Sequence, residues 1–268
     1  MADQQPMDNA LLALRGGLKG RLAENFCVLQ SSIDALTRHL QQNADPALND
    51  VAGTLLQEMA DRIAMLERLA DHAADLALSS AFRGTRVDEP VELFGYLQEL
   101  CECAREELLL QELPVQLVLQ TPQAHDTFWL MADPMAMNTL FTNLLTNSLQ
   151  GGCTRVEFCC SADARLTYRD DGPGLPQEAA ALLADGVAGP TLLCSGATGL
   201  LLVRACADAL GWQTQLEAGE GCVLHFALPP ACTQGQLDAV LRTAAQAGLR
   251  RQELLAQLRR ELAAMRGR

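Results

Sequence analysis

Several features that would point to a membrane, a secretory route or nucleic acid are missing from this sequence. Lys19 is its only lysine, and the formal net charge of -13 argues against a general nucleic-acid binder or a peripheral membrane protein. The polar start, Met1-Ala-Asp-Gln-Gln-Pro, has none of the apolar core that a secretory signal needs. One long uncharged run, residues 186–203, is interrupted by Gly, Pro, Ser and Thr, which is atypical of a membrane span. We therefore expect a cytoplasmic protein without a transmembrane segment.

Metal and disulfide signatures are also missing, although the chain has ten cysteines. The close pairs Cys101/Cys103 and Cys159/Cys160 do not have structural-zinc spacing. The last two are adjacent on a predicted strand, where their side chains point to opposite faces. The pattern favours reduced, mostly buried thiols that behave as small hydrophobic side chains.

Residues 1–83 contain two amphipathic helical patterns. Apolar residues recur at spacings of three and four from Leu11 to Leu36, and again from Val51 to Leu69. A break at residues 42–46 ends the first helix, because Pro46 disfavours a helical conformation at the residue before it. Two helices cannot cover both apolar stripes, so a dimeric four-helix bundle is predicted. Packing of the hairpin on its own neighbouring domain is the alternative.

The rest of the chain predicts an α+β sandwich and a helical tail. A turn-rich connector, residues 80–90, precedes a domain at residues 88–230. Helices are expected there at 91–112, 134–150 and 199–210, and strands at 115–120, 127–131, 155–160, 165–168, 213–218 and 222–228. This order predicts a mixed or largely antiparallel sheet covered by helices on one face.

Residues 231–268 predict a basic amphipathic helical tail, with seven arginines against three acidic residues. On an acidic protein, such a tail is expected to dock on its own acidic surface or on a partner. The alternative, a helix on a membrane surface, needs a larger exposed apolar face.

Three short motifs follow one another in the α+β domain. Asn143-Leu-Leu-Thr-Asn147 lies on a predicted helix, Asp170-Asp-Gly-Pro-Gly174 follows a strand, and Gly196-Ala-Thr-Gly199 opens another helix. The two asparagines, four residues apart, share one helix face, and carboxamide oxygens are suitable ligands for Mg²⁺. In order and element type the motifs resemble the N, G1 and G2 boxes of the ATP-binding domain of sensor histidine kinases and their GHKL relatives.

The resemblance implies a site for ATP and Mg²⁺. The residues that it places there are Asn143, Asn147, Asp170, Gly172, Gly174, Thr198 and Gly199. Asn147 would be the magnesium ligand, Asp170 would accept a hydrogen bond from the adenine amine, and the start of the third helix would approach the phosphates.

The motifs also depart from the family pattern. Ala197 and Leu201 replace two glycines of the third box, Gln150 replaces a basic residue, and the segment between Leu175 and Gly196 is short for an ATP lid. These departures predict weakened nucleotide binding. An amide at Asn143, where hydrolase relatives place a glutamate general base, disfavours an independent ATPase.

The phosphoacceptor motif of sensor kinases is degenerate here. In the best-fitting register, Ala23 occupies the acceptor histidine slot and Glu24 the acid/base position beside it. Alanine has no nucleophilic nitrogen, so it cannot be phosphorylated in this register. His39 and His72 on the helices are either unusual acceptors or plain surface and interface residues, and structural roles are favoured for His125 and His225.

Two functions remain open at this point. One is a histidine-kinase-like signalling protein of a two-component-type phosphorelay, which phosphorylates an unusual histidine or a partner protein. The other is a pseudokinase, a scaffold that acts by binding partners. Both imply a homodimer and a response regulator or a partner kinase as the interacting protein.

Overall fold

The structure, a computed structural model, describes ten segments of the chain and four single residues. They are residues 26–38, 40, 51–60, 62–63, 66–67, 70, 72, 88–122, 127–161, 165–185, 198–217, 219, 221–233 and 247–263. The chain divides into two compact units, Met1–Gly84 with Leu262–Arg268, and Thr85–Glu261. In the described segments, no helix is both long and apolar enough to cross a bilayer.

In the first unit, residues 26–38 and 51–60 are helical, as the apolar periodicity predicts. Ile33 and Leu56 are buried. Six other large apolar side chains of these helices remain between 48% and 64% exposed, namely Val28, Leu29, Leu36, Val51, Leu55 and Met59. The helices therefore present an apolar surface that this single chain leaves open to solvent. The predicted break at residues 42–46 lies outside the described residues.

The second unit contains seven strands and five helices in its described part, and the last helix extends two residues beyond Glu261. The strands are β1 Glu89–Glu92, β2 Gln116–Gln120, β3 Trp129–Ala132, β4 Arg155–Ser161, β5 Arg165–Asp170, β6 Gln213–Glu217 and β7 Val223–Ala227. The helices are α1 Leu93–Leu110, α2 Pro134–Gln150, α3 Gln177–Asp185, α4 Thr198–Leu210 and α5 Ala247–Ala263.

Five strands form one mixed sheet in the order β2-β4-β5-β7-β6. β2 and β4 are parallel, and every other neighbouring pair is antiparallel. Buried and more exposed residues alternate along β4 and β5, so one face of the sheet is covered and the other faces solvent. β1 and β3 form a separate antiparallel pair. This is the predicted α+β architecture with its mixed sheet.

Helix α2 has the bounds that the sequence predicts, for local reasons. Asp133 caps its first turn by accepting a hydrogen bond from the Met135 N–H at 2.9 Å. Pro134 occupies the first helical position, where a missing N–H leaves no hydrogen bond unmade. Eleven residues of α2 are buried, which makes it the central helix of the unit.

Six aromatic side chains link α2 to the sheet. The ring pairs, with centroids 5.3 to 6.0 Å apart, are Tyr96–Phe141, Phe141–Phe158, Phe158–Tyr168, Phe141–Trp212 and Trp212–Phe226. Each such pair contributes about 0.5–1.5 kcal/mol beyond its buried area. Because Phe141 takes part in three of these pairs, its packing fixes the distance of α2 from the sheet and the rotation of the helix, two residues before Asn143.

Two elements differ from the sequence prediction. The connector and the first predicted helix overlap β1, and α1 begins only at Leu93, since the Glu92 carboxylate caps it by accepting from the Phe94 and Gly95 N–H groups. The segment between Leu175 and Gly196, which the sequence predicts to be a short lid, contains the nine-residue helix α3. Its alanine-rich sequence, Gln-Glu-Ala-Ala-Ala-Leu-Leu-Ala-Asp, has high helix propensity but few apolar repeats to reveal it.

Candidate nucleotide-binding site

Asn143 and Asn147 lie one turn apart on α2 and contact the first turn of α4. A Cβ placed on Gly199 would lie 2.9 Å from the Asn143 Oδ1 and 3.2 Å from the Asn147 Oδ1. Only a glycine therefore lets the start of α4 approach both amides this closely. The structure brings together one residue of the third motif and both asparagines of the first.

Both amides keep buried polar atoms that are not hydrogen-bonded. The Asn143 Nδ2 donates to the Thr139 carbonyl oxygen at 2.8 Å, which directs its Oδ1 toward Gly199. Among the described residues, the Asn143 Oδ1 and the Asn147 Nδ2 have no hydrogen-bond partner. A buried group left in this state costs about 1–3 kcal/mol, which a ligand or water that pairs with it would recover.

Asp170, at the end of β5, is buried and held by three donors. Its Oδ1 accepts from the Gly172 N–H at 3.0 Å and from the Cys222 N–H at 3.1 Å. Its Oδ2 accepts a short hydrogen bond from the Ser148 hydroxyl. A carboxylate has about four acceptor positions, so one remains for a further donor. Three fixed bonds give this acceptor a defined direction.

Ser148 connects the first motif to the second. It follows Asn147 on α2, and its Oγ lies 2.6 Å from the Tyr168 Oη, which in turn lies 3.1 Å from the Leu144 carbonyl oxygen. Because the Ser148 proton goes to Asp170, the single phenol proton is the donor between Tyr168 and Ser148. Burial raises the pKa of Tyr168 well above its ordinary value, so the phenol stays protonated and can donate. The resulting series runs from tyrosine to serine to Asp170. The helix with the asparagines and the strand with the aspartate are thus tied by side-chain hydrogen bonds.

Two buried thiols flank the same carboxylate. Burial, followed by the negative charge of Asp170, raises the pKa of Cys153 and of Cys222 to about 12. Both thiols are neutral at physiological pH, because a thiolate would be desolvated and placed next to a like charge. They fill space around Asp170 without adding charge to the site.

Asp171 has a different role from its neighbour. Its carboxylate accepts from the Thr154 hydroxyl at 2.6 Å and from the Thr154 and Arg155 N–H groups at 2.8 and 2.9 Å. The hydrogen bond from the Thr154 side chain is the main reason that the pKa of Asp171 is lowered. This carboxylate joins the start of β4 to the end of β5 and leaves ligand contacts to Asp170.

The glycines near Asp170 allow close backbone approach. A Cβ on Gly172 would lie 3.1 Å from the Asp170 Oδ1, and one on Gly174, at φ +81°, would lie 3.2 Å from the Gly221 carbonyl oxygen. Gly221 is tighter still, since its Cβ would lie 2.1 Å from the Asp170 carbonyl oxygen. Sequence reasoning missed Gly221 and Ser148. The available signal for Gly221 was the Gly219-Glu-Gly turn between two predicted strands.

Thr198 and Gly199 are the first two residues of α4. Their position at a helix start is the one at which backbone N–H groups remain unpaired and attract anions. Leu200, Leu202 and Val203 are buried, so this helix is anchored by its apolar face. Gly196 and Ala197 lie outside the described residues.

Known proteins resemble this part of the chain. Residues 132–231 match the family described as "Histidine kinase-, DNA gyrase B-, and HSP90-like ATPase". The chain contains a domain of this ATPase family. The match begins at the end of β3 and takes in α2, the Asp170 turn, α4 and the closing strands. No curated protein matches the chain.

Several solved structures contain chains similar to this one, among them the histidine kinase AdeS. Full-length ShkA in complex with AMPPNP is 18% identical with a TM-score of 0.46, over 80% of this chain and 47% of its own. The ATP-binding domain of PrrB from Mycobacterium tuberculosis is 21% identical with a TM-score of 0.41, over 54% and 98%. Acinetobacter baumannii AdeS is 13% identical with a TM-score of 0.47, over 73% and 94%. This chain spans less than half of the ShkA chain.

The ATPase-family domain has a donor set that fits Mg²⁺. Across the described ranges, no three His, Cys, Asp or Glu side chains converge on a point that could hold a metal ion, and all nine described cysteines are free thiols. The uncommitted Asn143 Oδ1 and the neighbouring Asn147 amide offer hard, neutral oxygen ligands. Such ligands suit a magnesium ion that is held largely by nucleotide phosphates and water.

The predicted phosphoacceptor motif and the four histidines lie in several parts of the chain. Ala23, Glu24, His39 and His125 lie outside the described residues. His72 is buried. His225 lies on β7 between the Thr167 Oγ1 and the Glu217 Oε2, at 2.9 and 3.0 Å, which gives it a structural role on the solvent face of the sheet.

Proposed function

We propose that the ATPase-family domain binds ATP together with Mg²⁺, and that the protein is a histidine-kinase-like signalling protein of a two-component-type phosphorelay. One observation carries the proposal. The uncommitted amide atoms of Asn143 and Asn147 face Gly199, on a helix that Ser148 joins to the Asp170 carboxylate.

Each residue has a task in this proposal. Asn147, with Asn143 beside it, would hold Mg²⁺ through its amide oxygen, and the N–H groups at the start of α4 would face the phosphates. Asp170 would accept from the adenine amine through its remaining acceptor position, close to the glycine turn. When bound, ATP–Mg²⁺ would supply a phosphoryl group with its charge neutralised for transfer. The chain's own residues bind and orient it.

The second candidate is a pseudokinase that acts as a scaffold. It is favoured by Ala23 at the acceptor position and by Ala197 and Leu201 in the third box.

In both candidates the helices of the first unit would form a homodimer. Their exposed apolar side chains, among them Leu29 and Leu55, are the surface that a second copy would cover. A response regulator or a partner kinase would dock on the resulting bundle in the cytoplasm.

Calorimetric titration with ATP, with and without Mg²⁺, tests nucleotide binding. We expect wild-type protein to bind ATP more tightly with Mg²⁺ and Asn147→Ala to lose that enhancement. Gln213→Ala, which removes an exposed amide on β6, is the matched control and should bind like wild type. Absence of binding at millimolar ATP would refute the nucleotide proposal.

Phosphoryl transfer separates the two candidates. A kinase should give acid-labile phosphohistidine on this chain from radiolabelled ATP, or labelled phosphate on an added response regulator, and Asn147→Ala should abolish both. A scaffold should bind its partner without any label. Label that persists in the variant would remove Asn147 from the mechanism.

A further inference from the structure

The C-terminal helix α5 docks on the two helices next to the candidate site. Leu254 and Leu258 are buried on one side of it. Arg251 pairs with Glu106 of α1 at 2.6 Å. Arg259 donates to the carboxylate of Glu107 at 2.6 Å, and only 4% of the Glu107 side chain is exposed. A buried carboxylate needs a charged or hydrogen-bonding partner, so the contact between α5 and α1 is specific in register.

Gln257 extends this contact from α1 to α2. Its Nε2 donates to the Thr139 Oγ1 and to the Thr142 Oγ1, at 3.2 Å each. Both hydroxyls belong to the turn of α2 that precedes Asn143. A single amide from the C-terminal helix therefore holds two positions on the helix that carries the N-box asparagines.

Thr139 is shared between the two contacts. While its hydroxyl accepts from Gln257, its carbonyl oxygen accepts from the Asn143 Nδ2 at 2.8 Å. That second bond sets the orientation of the Asn143 amide and leaves its Oδ1 directed at Gly199. Gln257 and Asn143 are thus connected through one residue, without touching each other.

We propose that Gln257 is a positioning residue for the nucleotide site, and that docking of the C-terminal helix through Gln257 and Thr139 sets the affinity of the Asn143–Asn147 face for ATP–Mg²⁺. This inference rests on the proposed nucleotide function. Release of α5 lowers affinity at the metal and phosphate end of the site, while the Asp170 end, which is held by Ser148 and two backbone N–H groups, is unaffected.

The size of the effect has an upper limit. Nucleotide affinity cannot fall by more than the docking free energy that is removed, because the two processes are linked. Gln257→Ala removes two neutral hydrogen bonds, which limits the loss to a factor of roughly 150. We expect the Kd for ATP–Mg²⁺ to rise severalfold, within this limit.

Two probes separate positioning from general destabilisation. ATP–Mg²⁺ reports on the asparagine end of the site, and adenosine reports on the Asp170 end. Gln257→Ala should raise the Kd for ATP–Mg²⁺ and leave the Kd for adenosine unchanged, whereas a loosened fold would weaken both. Gln252→Ala, an exposed glutamine on the same helix, is the matched control.

A third measurement does not depend on nucleotide. The side-chain amide signals of Asn143 in a ¹⁵N-edited NMR spectrum, assigned with Asn143→Ala, should shift in Gln257→Ala and stay in place in Gln252→Ala. If wild type binds no ATP, the nucleotide proposal fails and these signals alone decide the coupling. Unshifted Asn143 signals, or an unchanged Kd for ATP–Mg²⁺ in a wild type that binds, would overturn the inference.

Discussion

Gly221 is the residue on which the geometry of Asp170 depends most directly, and Gly221→Ala tests that dependence. Gly221 has φ +75°, a conformation in which an L side chain costs about 1–2 kcal/mol. Its added Cβ would also lie 2.1 Å from the Asp170 carbonyl oxygen and 3.6 Å from the Asp171 Cα. Both neighbours are backbone atoms, so no side chain can rotate away to make room.

The second contribution follows from what a backbone shift would break. The Asp170 N–H donates to the Cys222 carbonyl oxygen at 3.0 Å, and the Cys222 N–H donates to the Asp170 Oδ1 at 3.1 Å. Each of these bonds is worth about 1 kcal/mol, and the carboxylate acceptor puts its bond at the upper end of the range. With the φ penalty, we expect Gly221→Ala to lower the free energy of unfolding by about 3–5 kcal/mol.

Two other glycines separate the cost of the positive φ from the cost of the backbone contact with Asp170. Gly211 has φ +72° but open space around its Cβ position, so Gly211→Ala should show the φ penalty alone, about 1–2 kcal/mol. Gly219 has open space and no positive φ, so Gly219→Ala should change stability by less than about 1 kcal/mol. The order of loss should be Gly221, then Gly211, then Gly219.

Urea unfolding followed by tryptophan fluorescence is a suitable assay, since Trp212 is buried in the aromatic cluster and its emission should change on unfolding. The m-values of the three variants should match, so that midpoint differences report stability. Equal losses for Gly221→Ala and Gly211→Ala would show that the backbone contact with Asp170 carries no energy, and would refute the reasoning.

Three further predictions concern other parts of the chain. The pKa of Cys222 is raised to about 12 from an unfolded value near 9, so the stability that its protonated thiol contributes is complete below about pH 9 and is lost as the pH rises toward 12. Over that window the unfolding free energy of the wild type should fall with pH, and Cys222→Ala should reduce this fall by up to about 1.4 kcal/mol per pH unit. Arg259→Ala should destabilise the fold by about 1–2 kcal/mol in thermal or urea unfolding, because it leaves the Glu107 carboxylate buried and unpaired. Adding Glu107→Leu should recover much of the loss. If the stability losses of the two single variants simply added in the double variant, the pairing would be contradicted. Leu29→Glu should convert the proposed dimer to a monomer in light scattering, whereas Ser31→Glu, two residues away on the same helix, should not. An unchanged mass for Leu29→Glu would exclude the dimeric four-helix bundle.

Local signals predicted the parts of the fold that local chemistry determines. Helix α2 begins and ends where the sequence indicates because Asp133 and Pro134 form a helix start and two glycines follow Gln150. Strands β4 and β5 alternate in burial as their residues alternate in polarity. β1 was missed because Pro90 is typical of turns, although an edge strand tolerates it.

The candidate site was predictable only as a set of residues. The sequence motifs identify Asn143, Asn147 and Asp170, but the link between them runs through Ser148, which is 22 residues from its partner and has no predicted role. Gly221, which is 51 residues from Asp170, is required by a backbone contact that has no sequence period. Local patterns cannot reveal such contacts, since each depends on how the sheet and α2 meet.

The docking of the C-terminal helix could be predicted from the sequence only in part. Its arginines predict that it binds an acidic surface, yet α1 presents several glutamates and charge alone does not choose among them. Glu107 differs because it falls on the apolar stripe of α1, next to Leu100, Ala104 and Leu108 in the helical repeat. A carboxylate at such a position is buried with the stripe and must find an opposite charge, so its spacing already points to an ion pair. The helix that supplies Arg259 also brings Gln257 to the turn before Asn143, and no sequence spacing reveals this contact. The link between the tail and the nucleotide site therefore follows from the structure alone.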